Sequence, residues 1–192
     1  MKTGLYFGTF NPIHIGHMAI ANYMVEFTDI EQLWFVVSPQ NPFKEQKHLL
    51  KDDHRLELVN RAIDGDGRFR ASAIEFKLSR PSYTVNTLAC LRDAYPDHEF
   101  YLIMGSDNLK HFNNWKDADL ILQNHHVLVY PRPGHPVEDQ PMHPHIHPVH
   151  APLMEISASF IRRAIEEGKN VSCFIPSKAY QYLREMNFYR EA

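Results

Sequence analysis

Gly8-Thr9-Phe10-Asn11-Pro12-Ile13-His14-Ile15-Gly16-His17 lies between a short β-prone run, Lys2 to Phe7, and a segment with helical spacing, Met18 to Val25. A turn from strand to helix with small residues and paired histidines is suited to holding phosphates. Glycines let a ligand approach the backbone closely, and a helix start offers unpaired N–H groups and a positive dipole end. His14 and His17 stand three apart, so on a first helical turn they face one side. The glycine spacing is not that of a dinucleotide fingerprint, and no Gly-Lys-Ser/Thr follows to make a P-loop. Loop histidines are usually solvated or structural. Strand, Gly, Pro, His, Gly, His and helix in this order are nevertheless hard to explain by packing alone.

The chain of 192 residues suits one α/β domain, or one with a small appendage. With 44% hydrophobic and 22% charged residues it can bury a sizeable core. A formal charge of -3 gives no reason to expect nucleic acid or an anionic membrane as partner, while a local positive site for a small anion stays open. Cys90 and Cys173 lie far apart without metal-like spacing and read as reduced core thiols of a cytoplasmic protein. Met1 to Gly4 leads straight into a strand, so no signal peptide is expected, and no apolar run is long enough to span a bilayer.

Strand-like and helix-like segments alternate over the first two-thirds. Gln32 to Val37 is a continuous apolar run, as a strand buried on both faces should be. The prolines of Ser38 to Lys44 forbid helix there. Asp52 or Asp53 can cap a helix carrying Leu56, Val59, Ala62 and Ile63. Phe69 to Phe76 reads as extended, and Ser82 or Thr84 as the start of a helix stopped before Pro96. Glu99 to Met104 and His125 to Tyr130 are further strands, followed by Gly105-Ser106-Asp107 and Pro131-Arg132-Pro133-Gly134. The expected fold is therefore α/β, a Rossmann-like doubly wound parallel sheet with a small C-terminal helical part. Ligands bind beyond the carboxyl ends of such strands, where the loops at Gly8, Pro39, Gly105 and Arg132 can converge. Gly134 to Pro152 reads as a long surface connection with a short strand near Ile146. Met154 to Ile156 reads as a final strand, followed by a helix capped by Ser157 and ended by Gly168. A last helix is expected from about Ser177 to Met186.

The segment Ile156-Ser157-Ala158-Ser159-Phe160-Ile161-Arg162 is by itself an ordinary amphipathic helix with a serine cap. A cap hydroxyl and an arginine one turn inside a helix start also make a second anion site. The decapeptide matches the Gly-x-Phe-x-Pro-x-His-x-Gly-His signature of the nucleotidyltransferase superfamily at every signature position. Ile156 to Arg162 resembles the accompanying Ile-Ser-x-Thr-x-x-Arg motif, with Ser159 in place of threonine. The resemblance covers nearly the whole chain. It implies a single nucleotidyltransferase domain over residues 1–192, in which 153–192 forms a phosphate-binding helix and a packing helix. It also implies transfer of a nucleotidyl group from a nucleoside triphosphate with loss of pyrophosphate, with Mg²⁺ bridging phosphate oxygens and using few protein ligands. His14, His17, Lys44 and Arg162 would be catalytic, acting by positioning and charge neutralisation. The ATP site would comprise Gly8, Thr9, Phe10, His14, Gly16, His17, Gly105, Asp107, Arg132, Ile156, Ser157, Ser159 and Arg162.

Pro81-Ser82-Tyr83-Thr84-Val85-Asn86-Thr87-Leu88 is similar to the Ser-Tyr-Thr-x-(Asp/Asn)-Thr-Leu stretch of bacterial nicotinate mononucleotide adenylyltransferases. Gly105-Ser106-Asp107 with the downstream Trp115, and Arg132-Pro133-Gly134, resemble further segments of that family. The resemblance implies nicotinate mononucleotide as acceptor, bound by Lys44, Tyr83, Thr84, Trp115 and Lys116, with Trp115 stacking on the pyridine ring. Singly, Trp115 reads as well as core, Thr84 as a helix cap and Asp107 as a turn residue. Lys116 stands where some family members carry tyrosine, and Asn86 where aspartate is frequent.

His135, His143, His145, His147 and His150 crowd a proline-rich segment. On a strand, His143, His145 and His147 would face one side, a geometry that can bind a transition metal. The spacing matches no zinc module, so solvated loop histidines are the expectation and no protein metal site is assigned. Nicotinamide mononucleotide and phosphopantetheine remain as other acceptors. A non-catalytic nucleotide-sensing module is the reading from another class, and a homo-oligomer is left open.

Overall fold

Strand and helix alternate along the chain as β1 (Lys2–Gly8), α1 (Ile15–Phe27), β2 (Gln32–Val37), α2 (Asp52–Ile63), β3 (Phe69–Ser72), α3 (Thr84–Ala94) and β4 (Glu99–Gly105). A short α4 (Ser106–Leu109), α5 (Ala118–Asn124), β5 (His126–Tyr130), β6 (Ile146–Pro148), α6 (Ala158–Glu166) and α7 (Ser177–Glu185) complete it. The structure is a computed structural model and describes residues 1–39, 49–137 and 143–190. The strands form one six-stranded sheet in the order β3-β2-β1-β4-β5-β6. Every pairing is parallel. The chain runs outward from β1 through β2 to β3, then returns to lay β4 on the other side of β1. That reversal opens a crevice beyond Gly8 and Gly105, as doubly wound sheets require.

The apolar run of β2 is divided between two cores by the period of a strand. Leu33, Phe35 and Val37 join Ile20, Met24, Leu58, Val59, Ile161 and Leu183 on one face. Trp34 and Val36 join Leu88, Leu91, Phe112 and Ile121 on the other. Helices α1, α2, α6 and α7 therefore cover the first face, and α3 and α5 the second. The C-terminal helical part packs into the first core through Ile161, Ala164, Ile165, Ala179 and Leu183.

Several local expectations need correction. Only Phe69–Ser72 is extended; Ile74–Lys77 turns into a 3-10 helix and buries Glu75. Met154 to Ile156 is not a strand, and β6 at Ile146–Pro148 is the last one. Asp52 and Asp53 lie inside the first turn of α2 instead of capping it, because Asp52 is engaged by arginines; Lys51 holds the cap position. α3 starts at Thr84, one of the two expected starts, although Tyr83 and not Thr84 holds its cap position. Cys173 is exposed and Cys90 half-buried, so neither is a fully buried core thiol. Ser157 caps α6 as expected, its hydroxyl accepting from the Phe160 amide at 3.2 Å. Among the described residues no helix is long and apolar enough to cross a membrane.

Candidate active site

The signature turn closes over its own phenylalanine. Phe10 has a left-handed backbone, φ 46°, which costs a non-glycine residue on the order of 1 kcal/mol or more. Its ring is 2% exposed and edges against Tyr6, His17 and Phe35, so packing holds the strained residue in place. A Cβ on Gly8 would meet that ring at 2.9 Å, which explains why the position carries glycine. The turn thereby delivers His14 to the N-cap of α1 and His17 to its first turn.

These groups wall a cavity of about 260 Å³. Its lining includes Gly8, Thr9, Phe10, His14, Gly16 and His17, together with Asp107, Arg132, Ile156 and Ser157 from later elements. Gly105 stands behind Asp107 and Arg132: a Cβ there would sit 2.4 Å from Asp107 Oδ1 and 2.8 Å from Arg132 Cγ. Arg132 is fixed by its backbone amide, which donates to the Ser106 hydroxyl at 2.9 Å, and its Nε lies 3.8 Å from Asp107. Deep in the cavity the Tyr6 and Tyr130 hydroxyls meet at 3.3 Å.

The two imidazoles lie against each other at a tilt of 31°, with ring centroids 3.7 Å apart. Burial and the Arg132 charge push the pKa of His14 down to about 4. Burial, His14 and Arg132 hold His17 well below the ordinary histidine value. Both rings are therefore neutral near neutral pH. The His14 amide donates to Nδ1 of His17 at 3.2 Å, so the neutral His17 carries its proton on Nε2 and is a hydrogen-bond donor there. Among the described residues, Nδ1 of His14 and Oδ1 of Asp107 are buried without a hydrogen-bond partner. Unsatisfied buried polar atoms of this kind are expensive, and a polar ligand in the cavity would relieve them.

The C-terminal motif reaches the same turn from the other end of the chain. Arg162 donates to the Asn11 carbonyl at 2.8 Å and to the Ser159 hydroxyl at 3.2 Å. The Asn11 side chain accepts from Tyr189 at 2.5 Å and from the Leu50 amide at 3.2 Å. Asn11, a variable position of the signature, is thus a junction between three distant segments.

A second cavity of about 370 Å³ also borders Gly8 and Thr9, lined further by Ser38, Glu75, Arg80, Ser82, Thr84 and Trp115. Gly8, Thr9 and Asn108 border both cavities, so the turn is a shared partition. Glu75 is 3% exposed and receives the Thr87 hydroxyl at 2.8 Å; burial raises its pKa while the Thr87, Ser38 and Ser82 hydroxyls oppose that rise.

Most of the expected site residues are brought together. Gly105, Ser159 and Arg162 stand behind the first cavity rather than in its lining. Tyr83 and Lys116 do not line the second; the Lys116 ammonium sits 4.7 Å from the Tyr83 ring centroid. Lys44 lies outside the described residues. Sequence reasoning missed Asn11, Glu75, Arg80 and Arg55, whose guanidinium is fully buried beneath the partition. For Arg55 the available signal was an arginine on an expected helix with an aspartate three positions earlier, Asp52. The late histidines do not line up along a strand. His147 bonds His126 at 2.8 Å and His145 turns to the Leu122 carbonyl at 2.5 Å. No group of three or more His, Cys, Asp or Glu among the described residues is arranged to hold a metal.

The cytidylyltransferase-like family model matches residues 5–164. A probable nicotinate-nucleotide adenylyltransferase of Christiangramia forsetii is 50% identical over 191 residues, 98% of each chain. One of Flavobacterium johnsoniae is 50% identical over 197 aligned positions, covering all of both chains. Among solved structures, the nicotinic acid mononucleotide adenylyltransferase of Plasmodium falciparum complexed with NaAD shares the fold, with TM-score 0.79 at 17% identity over 98% of this chain and 97% of that one. The chain belongs to the cytidylyltransferase-like family and, within it, to the nicotinate-nucleotide adenylyltransferases.

Proposed function

We propose that the two cavities divide the substrates of adenylyl transfer, with ATP beside His14 and His17 and nicotinate mononucleotide beside Thr84 and Trp115. The products are nicotinate adenine dinucleotide and pyrophosphate, a step of NAD biosynthesis. The observation that carries the assignment is the shared partition at Gly8 and Thr9, where a phosphate from either side would meet. Relatives along the full chain carry this activity in their names, and a solved structure of the same fold is described in complex with the dinucleotide.

In this reading the acceptor phosphate oxygen attacks the α-phosphorus as the bond to the β-phosphate breaks. The residues position and neutralise, which is most of what phosphoryl-type transfer needs. His17 Nε2–H and the first amides of α1 donate to phosphate oxygens, and Arg132 with Arg162 adds positive charge. Neither histidine is the nucleophile, and both act as neutral groups. Asp107 is available to the ribose hydroxyls. Ser157 and Ser159 at the start of α6 complete the phosphate side, so that residues 1–192 work as one catalytic domain and 153–192 supplies its phosphate helix. Lys44, which follows β2, would neutralise the departing pyrophosphate.

Enzymes of this kind use a divalent metal, and Mg²⁺ fits here. The cavity offers one carboxylate among its described lining residues, Asp107, so the ion would be held mostly by triphosphate oxygens and water. When bound, it would neutralise charge on the phosphates.

Pyrophosphate release with ATP and Mg²⁺ tests the assignment, comparing nicotinate mononucleotide, nicotinamide mononucleotide and phosphopantetheine. Release is expected to be fastest with nicotinate mononucleotide. Release with none would favour a nucleotide-sensing role, and a preference for phosphopantetheine would overturn the acceptor.

A further inference from the structure

We propose that Arg80, clamped by Asp52, supplies the fixed positive charge by which the second cavity prefers a pyridine mononucleotide with a ring carboxylate to its counterpart with an uncharged ring carboxamide. The proposal rests on the assignment of that cavity to the acceptor. Arg80 lines it together with Thr84 and Trp115. Its Nη2 donates to Asp52 Oδ2 at 2.9 Å, and the side chain remains 46% exposed, so it is held without being covered.

The clamp is itself anchored. The other oxygen of Asp52 accepts from Arg55 Nη2 at 2.5 Å. Nε and Nη1 of Arg55 also donate to three carbonyls: Thr9 at 2.6 Å, Ser38 at 2.7 Å and Leu50 at 3.1 Å. Two guanidinium groups therefore share the Asp52 carboxylate among the described residues, so that carboxylate is not matched to Arg80 alone, and Arg80 is the member of the cluster that borders the cavity. A planar guanidinium already held in place loses little freedom when it receives a carboxylate, which is where arginine differs from a free lysine. Of the two lysines expected beside the acceptor, Lys116 is engaged over Tyr83 and Lys44 lies outside the described residues. The opposing charge in the wall is Glu75, which is buried and covered by the hydroxyls of Thr87, Ser38 and Ser82.

Isothermal titration of nicotinate and nicotinamide mononucleotides into the wild type, Arg80→Gln and Arg80→Lys tests this without requiring turnover. Arg80→Gln should weaken the acid by about tenfold, the scale of a charge-assisted contact discounted for its exposure, and the amide by much less. Arg80→Lys should restore much of the difference, since the charge is kept. Equal losses for both mononucleotides would place Arg80 on their common phosphate and overturn the proposal. So would an unchanged preference in Arg80→Gln, or a wild type that binds neither compound. If both bind but no pyrophosphate is released, adenylyl transfer fails while the discrimination by charge is still measured.

Discussion

The two cavities share a wall and differ in construction. The phosphate side is built around one contiguous turn, with backbone amides, close-packed glycines and two neutral histidines packed at a tilt, completed by Asp107, Arg132 and Ser157 from later elements. The acceptor side is assembled from separate segments, with a half-exposed arginine, a half-buried tryptophan and a buried glutamate. The first needs donors at fixed positions around a charge that every nucleoside triphosphate carries. The second must distinguish one small ring substituent from another, so its specificity lies in side chains. A site built from backbone tolerates little variation, whereas one built from side chains can be retuned by single substitutions.

That contrast breaks most visibly at His17. His17→Ala should lower kcat by about 10²- to 10³-fold, as loss of one preorganised donor does elsewhere, with the fold retained by circular dichroism. Near-normal turnover would remove His17 from the chemistry. Gly105→Ala comes next, because its Cβ would push against Asp107 Oδ1 at 2.4 Å. Displacing Asp107 and Arg132 should raise the KM for ATP by about tenfold and leave that for the acceptor alone. Steady-state kinetics with each substrate varied would expose a general loss instead. Trp115→Ala should do the reverse, raising the acceptor KM by about fivefold through lost stacking while the ATP KM holds. If both constants rise together, the division into two sides is wrong.

The smallest effect is on stability. His14 takes up its proton at about 4 in the folded chain against 6.5 for an ordinary histidine. Between those values the unfolded chain binds the extra proton, so this group destabilises the fold as pH falls from 6.5 toward 4. The loss should be on the order of 1 kcal/mol over the first pH unit, seen as a falling Tm. In His14→Gln the same fall should be shallower.

The comparison also explains what could be read without a structure. The phosphate turn was legible because its chemistry is contiguous from Gly8 to His17, and because β2 alternates between two cores while remaining apolar throughout. Ser157 was legible as a cap for the same reason, being a local interaction. Ile74–Lys77 was not, since burial of Glu75 against Thr87 overrides the extended tendency of the segment. Asp52 looked like a cap until Arg55 and Arg80 took both of its oxygens. Asn11 joins Leu50, Arg162 and Tyr189, none of which is near it in sequence. Such long-range polar junctions leave no periodic trace in a sequence.

The division of labour itself is tested most directly by the crystal structure of a ternary complex with a non-hydrolysable ATP analogue and nicotinate mononucleotide. The triphosphate should lie against His14, His17 and the start of α1, and the pyridine ring against Trp115. The α-phosphorus and an acceptor phosphate oxygen should stand about 3–3.5 Å apart beside Gly8 and Thr9. Both ligands in one cavity, or a pyridine ring bound away from Trp115, would contradict the account.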